Sequence, residues 1–127
     1  MAKVTGIGGV FFKSPDPENL YQWYARYLGV DKKDEPGVSF ANQDQAAAGY
    51  IVWSAFRADT EYFKPAEKSY MFNLVVDDLD GALRQVASGG ATIVGEPETH
   101  DFGRFGWFID PDGNKVELWQ PTAETKA

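Results

Sequence analysis

Asp110-Pro111-Asp112-Gly113-Asn114-Lys115-Val116-Glu117-Leu118-Trp119-Gln120-Pro121 is the stretch that decides the fold. Asp110 to Asn114 is a strong turn signal. Pro presets one backbone dihedral, while Gly, Asn and Asp tolerate the conformations a tight reversal requires. Lys115 to Trp119 then reads as a strand. Alternation sends Val116 and Leu118 to one side, and Glu117 and Trp119 to the other. Such a strand packs one face on a core and displays a carboxylate and an indole on the opposite face.

The same pattern occurs earlier in the chain. Ala48-Gly49-Tyr50-Ile51-Val52-Trp53 lies over Asp112 to Glu117 and pairs Trp53 with Glu117. Upstream, Gly9 falls on Met71 and Asp16 on Asp78 at one common offset, the mark of an internal repeat. In the first half, Ile7 to Phe12 reads as a strand, and Asp16-Pro17-Glu18 opens a helix with a cap, a preset first residue and a dipole-matched acid. Leu20, Trp23, Tyr24, Tyr27 and Leu28 form its apolar face, and Gly29 stops it. Val38 to Ala41 and Tyr50 to Phe56 are further strands. Arg57 to Lys68 is polar, aperiodic and carries Pro65, so it reads as the linker at the midpoint. The order then returns. Met71 to Val76 is a strand, Asp77-Asp78 caps a helix faced by Leu79, Ala82, Leu83, Val86 and Ala87, and Gly89-Gly90 ends it. Ala91 to Val94 is a strand, a loop carries Pro97 and His100, and Arg104 to Ile109 is another strand.

Neither half can bury both its helix stripe and its sheet alone. The expected fold is therefore α+β, with two βαβββ modules sharing a curved mixed sheet that forms a concave cup. Residues 1–121 make one domain, with module one at about 4–57, a linker at 58–68 and module two at about 69–121. Residues 122–127 are a polar tail. Alternation places Met71, Asn73 and Val75 on the cup side with Glu117, and Phe72, Leu74 and Val76 under the second helix.

Composition narrows the function. At 43% hydrophobic and 24% charged, the chain has the make-up of a globular domain. A net charge of −7, with no run of basic residues, argues against nucleic acid as a partner. The absence of cysteine removes disulfides, thiolate metal sites and thiol nucleophiles. The N-terminal residues lack a signal peptide's apolar run, and no segment approaches the ~20 apolar residues of a membrane span. The expectation is a cytoplasmic protein without a membrane partner. Four Trp, six Tyr and nine Phe exceed what a small core needs, so either the core is built of rings or a cavity is lined by them.

The chain resembles the glyoxalase / bleomycin-resistance / extradiol-dioxygenase superfamily, the vicinal-oxygen-chelate fold. The carriers are Ile7-Gly8-Gly9-Val10-Phe11-Phe12, the helix from Asp16 to Gly29, Val76-Asp77-Asp78-Leu79-Asp80, and the terminal string from Asp110 to Pro121. The resemblance spans about Val4 to Pro121 and implies two modules around a cup, often in a homodimer. Metal-dependent members present four ligands to that cup. The matching positions here are Gly9, Trp53, Met71 and Glu117. Only Glu117 ligates a hard cation well, so no metal or other cofactor is expected, and a divalent ion is disfavoured.

Glu117 is the candidate catalytic residue, as a general base, with the alternative that it is a remnant paired with Lys13 or Arg104. Phe11, Trp53, Met71, Asn73, Arg104 and Trp119 are candidates for binding a small-molecule ligand, the rings as walls and Arg104 as a clamp for an anionic group. The alternative for the large side chains is that they fill the cup, Trp53 above all. His100, the sole histidine, reads as a solvated loop residue. The leading expectation is a metal-independent small-molecule-binding protein of unknown ligand. The alternatives are a lyase or isomerase working through Glu117 or a non-standard metal site, and a filled scaffold acting through its surface.

Overall fold

Asp16 and Asp78 each turn a loop into a helix by accepting a backbone N–H with the side chain, and the two helices carry much of the core. The computed structural model describes residues 9–33, 37–41 and 50–122. Helix α1, Pro17–Leu28, is capped by Asp16, whose carboxylate accepts the N–H of Asn19 at 3.2 Å. It ends at Gly29, which takes the left-handed conformation (φ 67°) that glycine adopts at low cost. Helix α2, Leu79–Ser88, is capped by Asp78, which accepts the N–H of Gly81 at 3.1 Å.

Four strands follow the midpoint: β1 (Phe72–Val75), β2 (Thr92–His100), β3 (Gly103–Ile109) and β4 (Lys115–Pro121). They form one mixed sheet in the order β1-β4-β3-β2, with β1 parallel to β4 and the other pairs antiparallel. The architecture is α+β, and both helices pack on one face of the sheet. Trp23 of α1, Leu79, Ala82 and Val86 of α2, Phe108 of β3, and Val116 and Leu118 of β4 make the buried cluster. Phe72, Leu74 and Val76 pack against it, as their alternation requires. The Trp23 indole N–H donates to the Gly89 carbonyl at 2.9 Å and so ties α1 to the end of α2.

The decisive turn is fastened from several sides. Asp110 accepts the N–H groups of Asp112 and Asn114, the Asn114 side-chain amide and the Tyr24 hydroxyl, each at 2.9 Å. Tyr70 donates to the Asn114 side-chain amide oxygen at 2.9 Å. Burial and the adjacent Asp110 carboxylate push the Tyr24 hydroxyl well above the usual phenol range.

Three sequence expectations are modified. Strand β2 runs to His100 instead of stopping at Val94, because a register shift between Val94 and Glu98 takes up Gly95 and Pro97. An edge strand accommodates proline there, since no ladder hydrogen bond is required of it. His100 is thus a strand residue. In the first half, Ile7, Gly8 and residues 42–49 lie outside the described residues. The described parts of its expected strands, 9–12, 38–41 and 50–56, are in no ladder. Phe11 is 95% exposed and Trp53 89% exposed. A strand needs a partner edge for its backbone groups and a face to bury, and these segments meet neither condition among the described residues. The midpoint segment, in contrast, is more than a connector. It is folded into turns, with Thr60 bonded back to Arg57 and Ala66 to Phe63, and it buries Ala66.

Candidate functional site

The hairpin β3–β4 fixes the register of the face opposite the helices. Trp107 stands across from Glu117, and Phe105 across from Trp119. On the other flank, Asn73 of β1 is the neighbour of Glu117. Three strands therefore deliver Asn73, Glu117, Trp119, Trp107 and Phe105 to one surface through simple alternation. Met71, half-buried, precedes Asn73 by one alternation step.

Glu117 is the centre of that surface. One carboxylate oxygen accepts the Asn73 side-chain amide at 2.6 Å. The other accepts the Tyr62 hydroxyl at 2.6 Å and the Trp107 indole N–H at 2.9 Å. A carboxylate offers about four acceptor positions, so three donors leave little of it unused. All three partners are neutral donors; none is the Lys13 or Arg104 considered from sequence.

Rings enclose the carboxylate. Tyr62 lies parallel to Phe56 (centroids 5.8 Å apart, 9° between planes) and edge-on to Trp107 at 6.3 Å. Trp119 stacks on Phe105 at 5.9 Å and meets Tyr50 edge-on at 5.6 Å. Its indole N–H donates to the Phe102 carbonyl at 2.9 Å. Trp107 and Trp119 are only 7% and 5% exposed, whereas Tyr62 is 40% exposed. Trp53, a candidate wall with filling of the cup as its alternative, is 89% exposed, and Tyr62 and Tyr50 lie against the buried indoles.

Lys115 adds an ammonium to this sheet face. It sits 4.9 Å from the Tyr62 ring centroid and 5.9 Å from that of Trp107, and donates to the Tyr62 carbonyl. Burial pushes the Lys115 ammonium down from its ordinary range, against the opposing pull of Glu117. Burial, the hydrogen bond to Glu117 and its charge together raise the Tyr62 hydroxyl above the phenol range. Farther along, His100 pairs with Glu98 at 2.9 Å and packs against Phe105 at 5.8 Å.

Of the residues singled out from sequence, Glu117, Asn73 and Trp119 share this face, with Met71 beside it. Phe11 and Trp53 are exposed. Arg104 projects from the helix side of β3 and pairs with Asp80 of α2 through both guanidinium nitrogens at 3.1 Å. Sequence reasoning missed Trp107, Phe105 and Tyr62. The first two follow once the Asp110–Asn114 turn is used to pair β3 with β4. Tyr62 carries no such signal, because it comes from the aperiodic segment.

The residues present do not fit the cation that metal-dependent relatives hold. Gly9 has no side chain, Trp53 is an exposed indole, Met71 is a thioether, and the oxygens of Glu117 already hold three N–H and O–H donors. Among the described residues no group of three or more His, Cys, Asp or Glu is placed to hold a metal. A shallow cleft of about 420 Å³ lies elsewhere, bounded by Trp23, the 89–92 segment and Asp110. Its one carboxylate is consumed by the four hydrogen bonds of the turn, so it lacks the convergent polar groups of a ligand site.

Comparisons with known proteins bear on the fold. TnmS3, described as an antibiotic-binding protein from Streptomyces sp. CB03234, is 24% identical with a TM-score of 0.61, over 96% of this chain and 100% of that one. An integron cassette protein from V. cholerae is 19% identical with a TM-score of 0.60, over 96% and 99%. TioX from Micromonospora sp. ML1 is 17% identical with a TM-score of 0.51, over 84% and 91%. At these identities the likeness is one of fold. No curated protein sequence matches the chain. Among the described residues no helix is long and apolar enough to cross a membrane. The profile of the glyoxalase-like domain matches residues 9–119, and the chain belongs to that family.

Proposed function

We propose that this protein binds a small, largely apolar molecule on the concave face around Glu117, without a metal, and acts as a homodimer. The observation that carries the reading is a single carboxylate oriented by Asn73 and Trp107 and walled by rings. Apolar walls with a few fixed polar groups are how small-molecule sites gain both affinity and orientation. The antibiotic-binding description of TnmS3, which shares the fold, supports the same class of ligand. A lyase or isomerase would instead ask Glu117 to take a proton on oxygens that already accept from Asn73 and Trp107.

The homodimer reading rests on the exposed apolar side chains of the first half, Phe11 and Trp53 among them. Elemental analysis of purified protein, followed by thermal-shift screening against aromatic metabolites and antibiotics, tests the binding reading. The expected result is no stoichiometric metal and a raised melting temperature with at least one compound. One tightly bound transition metal per chain would overturn it.

A further inference from the structure

We infer that Tyr62 occupies the ligand's own place, and that the site takes a neutral hydroxyarene whose O–H replaces that of Tyr62 on Glu117. This inference rests on the binding reading and names its ligand class.

The surroundings of Tyr62 amount to a formed phenol site. Phe56 lies parallel to its ring at 5.8 Å, and Trp107 meets it edge-on at 6.3 Å. The Lys115 ammonium lies 4.9 Å from the ring centroid, and Glu117 accepts the hydroxyl at 2.6 Å. Ring partners, a cation near the ring and an oriented acceptor recognise a phenol on four counts. Tyr62 is also far less enclosed than the indole it meets, 40% exposed against 7% for Trp107.

Its backbone is held independently of its ring. The Tyr62 carbonyl accepts from Lys115, its N–H donates to the Thr60 hydroxyl at 3.2 Å, and Ala66 is buried nearby in sequence. Side-chain rotation alone therefore vacates the position. Glu117 would keep Asn73 on one oxygen and Trp107 on the other, so its orientation survives and one acceptor position opens.

The same inventory sets the charge and polarity of the occupant. The indole N–H of Trp107 and the amide of Asn73 are already given to Glu117, so the ligand must bring a donor of its own. An aryl carboxylate would place an anion against Glu117. An aryl ammonium would be repelled by Lys115 at the ring face. A neutral ring bearing O–H satisfies both constraints.

Phenol, anisole and benzoate, titrated against intrinsic tryptophan fluorescence, test the inference, with circular dichroism as the check on folding. Tyr62→Ala is expected to bind phenol roughly tenfold more tightly than the wild type does. Anisole, which lacks the donor, and benzoate, which is charged, should bind this variant at least about tenfold more weakly than phenol. Tyr62→Phe keeps the ring and removes the competing hydroxyl, so phenol should bind it more tightly than it binds the wild type. Equal binding of phenol and anisole by a folded Tyr62→Ala overturns the inference. So does unchanged phenol affinity in Tyr62→Phe, which covers the case in which the alanine variant is misfolded. If a compound from the thermal-shift panel stabilises the wild type while phenol binds neither variant, the hydroxyarene assignment fails and the binding reading stands. If nothing binds wild type or variants, both fail.

Discussion

Arg104 and Asp80 meet through two parallel hydrogen bonds on the helix side of the sheet, and this pair gives the arginine a partner within the chain. Both side chains remain in contact with water, so the pair is screened by salt and contributes modestly. Hydrogen bonding to Arg104 holds the Asp80 carboxyl below its ordinary value of 3.8. The unfolded chain therefore takes up this proton first as pH falls. The stabilisation is whole above 3.8 and disappears as acidification passes the folded-state value. Thermal melts of Arg104→Ala and wild type at low salt should differ near neutrality and converge in acid. The variant should also keep its affinity for any ligand of the concave face. A gap that widens in acid, or a lost ligand, would contradict this placement. At this scale the sequence was only partly informative. Glu117, Asn73 and Trp119 were legible because strand alternation is a local property. The outward face of Arg104 required the β3–β4 register, and the reach of Tyr62 to Glu117 is a tertiary contact made by a segment without period.

Among the elements, the Asp110–Asn114 turn joins the two halves, because Tyr24 of α1 closes its hydrogen-bond network. Removing the hydroxyl leaves an Asp110 oxygen short of a donor in a part-buried setting. Tyr24→Phe should therefore cost about 1.5–3 kcal/mol in urea denaturation at neutral pH, the range for hydrogen bonds to charged groups. The pH dependence carries a second signature. The Tyr24 hydroxyl is raised above its ordinary value of 10.0, so the unfolded chain loses that proton first as pH rises. The stability this supplies is complete below 10.0 and falls above it, and Tyr24→Phe should show a shallower alkaline decline. Parallel alkaline curves for the two proteins would sink the assignment. The turn and both helices were readable from sequence, since caps, stop glycines and turn residues act within a few positions of one another. The continuation of β2 past Pro97 was not, because a proline reads as a break until a bulge on an edge strand is known to absorb it.

For the whole molecule, the question is what covers the first half. Val10, Phe11, Ile51, Val52 and Trp53 are exposed and apolar, and β1 is an edge of the sheet. So many large exposed apolar side chains are unusual on a protein that stays monomeric, and a strand edge unpaired among the described residues invites another chain. The alternation seen in sequence, Val10 and Phe12 on one side and Phe11 on the other, is that of strands with two faces to bury. A second copy supplies both an edge and an apolar face, in keeping with the proposed homodimer. Closed symmetry would let each chain cover the other's first half with the same residues. A stable interface needs roughly 1,200–2,000 Å² in total, within reach of several large side chains from each copy. Sedimentation equilibrium should therefore report twice the 14.1 kDa chain mass at micromolar concentration. Phe11→Asp combined with Trp53→Asp should shift the protein to the single-chain mass. The helix signal in circular dichroism should persist, because α1 and α2 pack on the second-half sheet without either residue. A wild type that sediments as one chain would remove the dimer from the proposal. It would leave the Glu117 surface untouched, since Asn73, Trp107, Tyr62 and Glu117 all come from one copy.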